Sequence, residues 1–156
     1  MAKFDIKTYN AISPIGLAEL PEEIYAVDSE VQNPDAIILR SFNLHDEPIS
    51  DSVLAVARAG AGVNNVPVED MTERGIPVFN APGANANAVK ELVITGILMA
   101  SRNVVDAVAY VKSLSGDDKQ LAKLVEDGKK KYKGSELTVK TLGVIGMGAI
   151  GYRVAN

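Results

Sequence analysis

The sequence contains no cysteine, which excludes disulfides, thiolate metal sites and a cysteine nucleophile. It has one histidine, His45, so histidine-rich metal centres are excluded and little is left for imidazole catalysis. Long apolar runs are also missing. The most apolar stretch, residues 92–100, is too short to span a bilayer. The opening residues Met1-Ala2-Lys3-Phe4-Asp5 lack the apolar region of a secretory signal. Nor is there an excess of basic charge: 16 Lys and Arg face 20 Asp and Glu, a net charge of −4. That balance argues against nucleic acid as a partner. No repeat or low-complexity tract is present. What remains is 156 residues, 47% of them hydrophobic, enough to bury a core and to exclude wholesale disorder. The expectation is a soluble, cytoplasmic protein with no membrane partner, of one domain or one domain plus part of a second.

Short apolar runs separated by turn signals fill the first eighty residues. Phe4–Tyr9, residues 24–27, Ala36–Leu39, residues 53–57 and residues 76–79 read as strands. Pro67 suits the first position of a short helix running to Arg74, with Gly75 as its stop. Buried strands joined by short helices predict an α/β unit with a parallel sheet. A long helical pattern follows: Val89, Leu92, Val93, Gly96, Ile97, Ala100, Val104, Val108 and Val111 keep helical spacing, with Asn85 or Asn87 as the cap. Unbroken to Leu114, this helix would measure about 40 Å, long enough to join two domains. Ser115-Gly116-Asp117-Asp118 ends it, and a second helix carries Leu121, Leu124 and Val125 on one side. Lys129, Lys130, Lys131 and Lys133 then form a basic, exposed segment.

Residues 141–145 read as a strand, and Gly146-Met147-Gly148-Ala149-Ile150-Gly151 follows at once. The spacing alone is a weak signal, and a plain strand-to-helix turn is the alternative. Between a strand and a helix it has the context of a dinucleotide fingerprint. Gly146 would make the tight turn, Gly148 would let backbone approach a pyrophosphate, and Gly151 would let helix and strand pack closely. The phosphates would lie at the positive helix N-terminus. Such a fold continues to an acidic residue about 20 positions on. Five residues follow Gly151, so the expectation is the front part of a longer chain.

Three blocks together resemble the D-isomer-specific 2-hydroxyacid dehydrogenases. Arg58-Ala59-Gly60-Ala61-Gly62-Val63-Asn64-Asn65-Val66 is similar to that family's substrate loop. The stretch from Gly75 to Gly83, with Asn85, Asn87 and Glu91-Leu92, resembles the lead into its interdomain helix. Residues 141–151 resemble its cofactor fingerprint. The resemblance implies a flavodoxin-like parallel-sheet substrate domain over residues 1–86. It implies a long interdomain helix over 87–114 and the start of a Rossmann domain over 115–156. NAD would be the cofactor, held by Gly146, Gly148, Ala149, Ile150 and Gly151, with Ala61 near the nicotinamide. Arg40, with Ser41 beside it, and Arg58 match positions that contact a substrate phosphate, and guanidinium forks suit that group. The amides around Gly60, Ala61 and Gly62 would nest the substrate carboxylate. The partner implied is therefore a small phosphorylated 2-hydroxy acid.

The family's catalytic arginine, glutamate and histidine lie beyond its glycine motif, so the resemblance implies no catalytic residue in this chain. His45, in a polar loop before the substrate loop, is expected to be an ordinary exposed side chain. No metal site is expected. A homodimer or larger assembly is expected through residues 104–151. The apolar stripe of the long helix outruns the core, and a strand at 142–145 would leave an open edge. The resemblance also turns the lysines at 129, 130, 131 and 133 toward a neighbouring subunit's phosphate pocket; a solvated loop is the alternative. Two other readings stay open: a family member acting on an unphosphorylated substrate, and a non-catalytic dimerising module.

Overall fold

A computed structural model describes residues 4–10 and 12–156. The chain divides into two compact units, Met1–Ala84 and Asn85–Asn156.

The first unit is built on five parallel strands, β1 (Phe4–Tyr9), β2 (Tyr25–Asp28), β3 (Ala36–Leu39), β4 (Ala55–Arg58) and β5 (Val78–Asn80), in the order β2-β1-β3-β4-β5. This is the flavodoxin-like order, with its switch point between β1 and β3. The central strands β3 and β4 are short apolar runs because a parallel sheet buries both of their faces, whereas β1 alternates and buries Ile6 alone. Ile37, Leu39, Leu44, Val53, Val56, Val66, Met71 and Ile76 make one buried cluster, with Tyr9, Phe42, Ile49 and Val78 packed against it. Burying a side chain such as Leu39 or Met71 contributes about 1.5–3 kcal/mol.

Two short helices complete this unit, α1 (Pro14–Leu17) and α2 (Val68–Glu73). Pro67 is the cap before α2 and not its first helical residue. Gly75 takes φ +70°, its N–H donates to Thr72, and the Ile76 N–H donates to Met71. These two bonds close a Schellman stop, sealed by burial of both Ile76 and Met71.

The second unit is helical: α3 (Ala86–Ser101), α4 (Val104–Ser113), α5 (Asp118–Gly128), a 3-10 turn (Lys129–Tyr132) and α6 (Gly151–Ala155). The long helix expected from the apolar spacing is two helices bent by 60°. Asn103 sits in the left-handed region at φ 51°, ψ 35°, a conformation that asparagine tolerates. The break leaves the Ser101 carbonyl without a helical donor, and the Ser135 N–H supplies one at 2.9 Å. Gly134 passes so close to Ser101 and Arg102 that a Cβ would strike their backbone. Apolar periodicity cannot reveal such a break, because the spacing continues across it.

Tyr110 ties α4 to α5. Its hydroxyl donates to the Leu124 carbonyl at 2.5 Å, and its ring lies 5.2 Å from that of Tyr132. Asp117 and Gln120 start α5 with a reciprocal capping box. Residues 141–145 do not form the expected strand. A parallel strand needs neighbours for its N–H and C=O groups, and no strand lies among the described residues of this unit. Among the described residues no single helix is long and apolar enough to cross a membrane.

Candidate functional site

In a parallel sheet every strand delivers its following loop to the same edge, and ligands bind there, at the switch point. The register aligns Tyr9 with Leu39, Leu39 with Arg58, and Arg58 with Asn80. The residues just beyond these positions, Asn10, Arg40, Ser41 and the loop from Ala59, therefore crowd one edge of the sheet.

A small set of polar bonds organises that edge. The Arg58 Nε–H donates to the Arg40 carbonyl at 3.0 Å. Asn65 Nδ2 donates to the same carbonyl at 3.2 Å and to that of Phe42 at 2.6 Å. Asn10, left-handed at φ 66°, accepts the Ser41 N–H at 3.1 Å. Asn80 Nδ2 donates to the Ala61 carbonyl at 2.7 Å. Tyr9 stacks on Phe42 with ring centroids 4.3 Å apart, closing the apolar side of the same loop.

The glycine loop is more committed than its sequence suggests. The Gly60 N–H donates to the Arg58 carbonyl at 2.8 Å, and the Gly60 carbonyl accepts from Ala81 at 2.9 Å. Gly60 thus offers no amide to an anion, which corrects the three-residue nest. The amides of Ala61 and Gly62 donate to nothing among the described residues. The Arg58 guanidinium lies against Gly60, where a Cβ would be, so a side chain at position 60 would make that guanidinium shift. The Ser41 amide is likewise taken, leaving its hydroxyl as the free donor.

Three arginines distinguish a structural role from a ligand-binding one. Arg74 is neutralised by Asp51 at 3.3 Å and Asp70 at 3.9 Å. Arg40 and Arg58 have no carboxylate within ion-pair distance among the described residues. Two uncompensated guanidiniums at the ends of adjacent strands can form charge-assisted, forked bonds to one phosphate or carboxylate. His45 is exposed, and its Nε2 donates to the Asn64 carbonyl at 3.0 Å.

In the second unit the residues 146–151 make a tight turn into α6. Gly146 takes φ +89°, which a side chain resists. A Cβ on Gly151 would collide with the Gly146 carbonyl, so the turn closes only with glycine there. Gly148 faces open space, with nothing within 4 Å of where a Cβ would stand. Ala149 and Ile150 are exposed beside it. The turn thus fits the pyrophosphate part of a dinucleotide, which needs bare backbone at a helix start. The ladder expected before it is missing, as described above.

Asn10, Asn65 and Asn80 hold this arrangement, and sequence reasoning passed over all three as functional residues. Their role depends on carbonyls brought near by the fold, which no spacing rule encodes. The pair Asn64-Asn65 directly after a glycine loop was the only available signal.

Residues 3–147 match the family described as D-isomer specific 2-hydroxyacid dehydrogenase, catalytic domain. D-3-phosphoglycerate dehydrogenase of Methanocaldococcus jannaschii is 37% identical over 130 residues, covering 81% of this chain and 23% of that protein. Hydroxypyruvate reductase of Thermotoga maritima is 34% identical over 138 residues, covering 86% of this chain and 40% of that protein. The NAD+-bound 3-phosphoglycerate dehydrogenase of Entamoeba histolytica has the same fold, with a TM-score of 0.66 and 25% identity. It is matched over 99% of this chain and 50% of that structure. The chain therefore spans between 23% and 50% of the length of these relatives. It belongs to the D-isomer specific 2-hydroxyacid dehydrogenases.

Proposed function

We propose that this chain supplies the substrate-binding unit and the opening nucleotide turn of an NAD-dependent D-3-phosphoglycerate dehydrogenase, serving serine biosynthesis. The observation that carries this reading is the pair of uncompensated guanidiniums, Arg40 and Arg58, beside two free loop amides. An unphosphorylated hydroxy acid needs one anion site for its carboxylate. A phosphorylated one needs two, and this edge offers two kinds of donor. Arg40, Arg58 and the Ser41 hydroxyl hold the phosphate, and the amides of Ala61 and Gly62 hold the carboxylate. Gly146, Gly148, Ala149, Ile150 and Gly151 cradle the pyrophosphate.

Oxidation of 3-phosphoglycerate removes hydride from C2 and a proton from its hydroxyl, leaving 3-phosphohydroxypyruvate. When bound, NAD+ accepts the hydride. Among the described residues none is placed to take the proton, so on this reading the chain alone binds and orients substrate without turning it over. Loss of a general base commonly costs 10²–10⁴-fold. The exposed apolar residues Leu92, Leu98, Val105, Val108 and Val111 support association with a second copy. The support once drawn from a strand edge at 142–145 falls away with that strand. Lys129 is engaged by Glu126 on its own helix turn, leaving Lys130, Lys131 and Lys133 to face a neighbour's phosphate.

The test is turnover of 3-phosphoglycerate against glycerate by the enzyme that carries this chain. A clear preference for the phosphorylated acid, abolished in Arg40→Ala, is expected. Equal turnover would favour the second reading, a hydroxypyruvate or glycerate reductase, which the Thermotoga maritima relative supports.

A further inference from the structure

Arg40 and Arg58 lie at the ends of different strands, and one carbonyl ties the Arg58 side chain to the Arg40 backbone. The Arg40 carbonyl accepts from Arg58 Nε at 3.0 Å and from Asn65 Nδ2 at 3.2 Å. The second Asn65 proton goes to the Phe42 carbonyl at 2.6 Å. A side-chain amide has two N–H donors, and both are spent on the strand-end loop that carries Arg40. Its Oδ1 is buried and accepts nothing among the described residues. The opposite amide orientation would set Oδ1 against two carbonyl oxygens, so the donor assignment is unambiguous. A buried acceptor left unpaired is unfavourable. Asn65 is thus held in place by its donor bonds, at the expense of its oxygen.

We propose that Asn65 is a positioning residue for phosphate recognition, clamping the Arg40 loop so that the Arg40 and Arg58 guanidiniums converge on one anion. This rests on the reading that those arginines bind phosphate. Asn65 touches no substrate itself. An aspartate of nearly the same shape cannot donate, and its carboxylate would repel both carbonyls. With the clamp gone, the Arg40 backbone moves away from Arg58 Nε and the two forks lose their common target. A serine retains one donor and restores part of the clamp.

The experiment titrates the enzyme that carries this chain with 3-phosphoglycerate and with glycerate. The variants are Asn65→Asp, Asn65→Ser, the double variant Arg40→Ala/Arg58→Ala, and that double variant combined with Asn65→Asp. Asn65→Asp is expected to lose about tenfold of the preference for the phosphorylated acid, the equivalent of one charged hydrogen bond. Asn65→Ser should lose less. In the arginine-free background Asn65→Asp should change nothing further, because a residue that acts through the arginines has no effect without them. If the double variant keeps the preference, the phosphate reading itself fails. If the double variant loses it but Asn65→Asp and Asn65→Ser bind like the parent, the positioning role is overturned. An equal loss on removing Asn65 in both backgrounds overturns it too, since that marks a general structural effect. The Arg58 Nε–H resonance gives a readout without ligand: its exchange with solvent should quicken in Asn65→Asp or, should that variant not fold, in Asn65→Ser. Unchanged exchange would refute the clamp.

Discussion

In the sheet unit Leu39, Leu44, Val56 and Met71 are shut off from solvent; in the helical unit Leu92, Leu98, Val105 and Val111 lie open to it. The difference lies in how each unit is supplied. All five strands of the sheet come from one continuous stretch, so every central strand finds two neighbours and the core closes on itself. The helical unit has apolar helices but, among its described residues, no sheet of its own, and the strand-like residues 141–145 find no ladder there. Composition alone does not make a core; apolar surface needs a partner within reach.

Truncating the core gives the largest effect and tests this contrast directly. Met71→Ala removes a fully buried side chain that also seals the α2 stop, and about 2–5 kcal/mol of stability should go with it. Leu98→Ala, on the exposed side of α3, should cost under about 1 kcal/mol. Urea unfolding followed by residue-resolved NMR separates the units. A larger loss at Leu98 would mean that its face is covered in solution, which would redraw the comparison.

Next comes a contrast within the sheet unit. Arg58→Ala should weaken 3-phosphoglycerate binding by about 1.5–3 kcal/mol, the worth of a hydrogen bond to a charged group, while leaving the melting temperature nearly unchanged. Arg74→Ala should do the reverse: Asp51 and Asp70 lose their partner and stability falls slightly, with ligand affinity intact. Calorimetric titration beside thermal melts decides this. If the two variants behave alike, the division between paired and unpaired arginines carries no functional meaning.

How far the sequence disclosed these features follows from their range. Strand Ala36–Leu39 was legible to the residue because a buried parallel strand is a local apolar run, and Phe4–Tyr9 because Phe4, Ile6 and Thr8 alternate with polar residues and Tyr9 ends the run. The α2 stop was legible because Gly75 needs a left-handed backbone. The division of the long helix was not, since Ser101-Arg102-Asn103 falls between Ala100 and Val104 without interrupting their helical spacing. Arg40 and Arg58 were legible only through family resemblance. Their lack of carboxylate partners, and the Asn65 clamp between them, arise from residues 18 and 25 positions apart in sequence.

Gly134→Ala probes the second unit at its tightest point. The added Cβ would meet the Ser101 carbonyl and the Arg102 Cα, and backbone cannot rotate away as a side chain can. Overpacking of this kind typically costs about 1–3 kcal/mol. Hydrogen exchange should rise across residues 85–156 and stay unchanged across the sheet. Spread of the effect into residues 4–84 would show the two units to be energetically coupled.

The smallest expected effect concerns how α5 begins. Its exposed face gives it little tertiary support, so local bonds weigh more in it than in any sheet strand. Asp117 accepts the Gln120 N–H at 2.9 Å, and Gln120 Oε1 accepts the Asp117 N–H at 3.1 Å. Gly116, at φ +143°, turns the chain into this cap. Asp117→Ala removes one half of the box and the acidic charge at the helix start, costing about 1 kcal/mol. Asp117→Asn keeps the acceptor and should recover most of that loss. The measurement is amide protection over Lys119, Gln120 and Leu121, compared with the α4 amides near Tyr110. Loss confined to the first turn of α5 would show that the Tyr110 contact with Leu124 holds the rest of the helix without its cap. Loss along the whole helix would show that the capping box, and not the tyrosine, is what keeps this unit's outer helix formed.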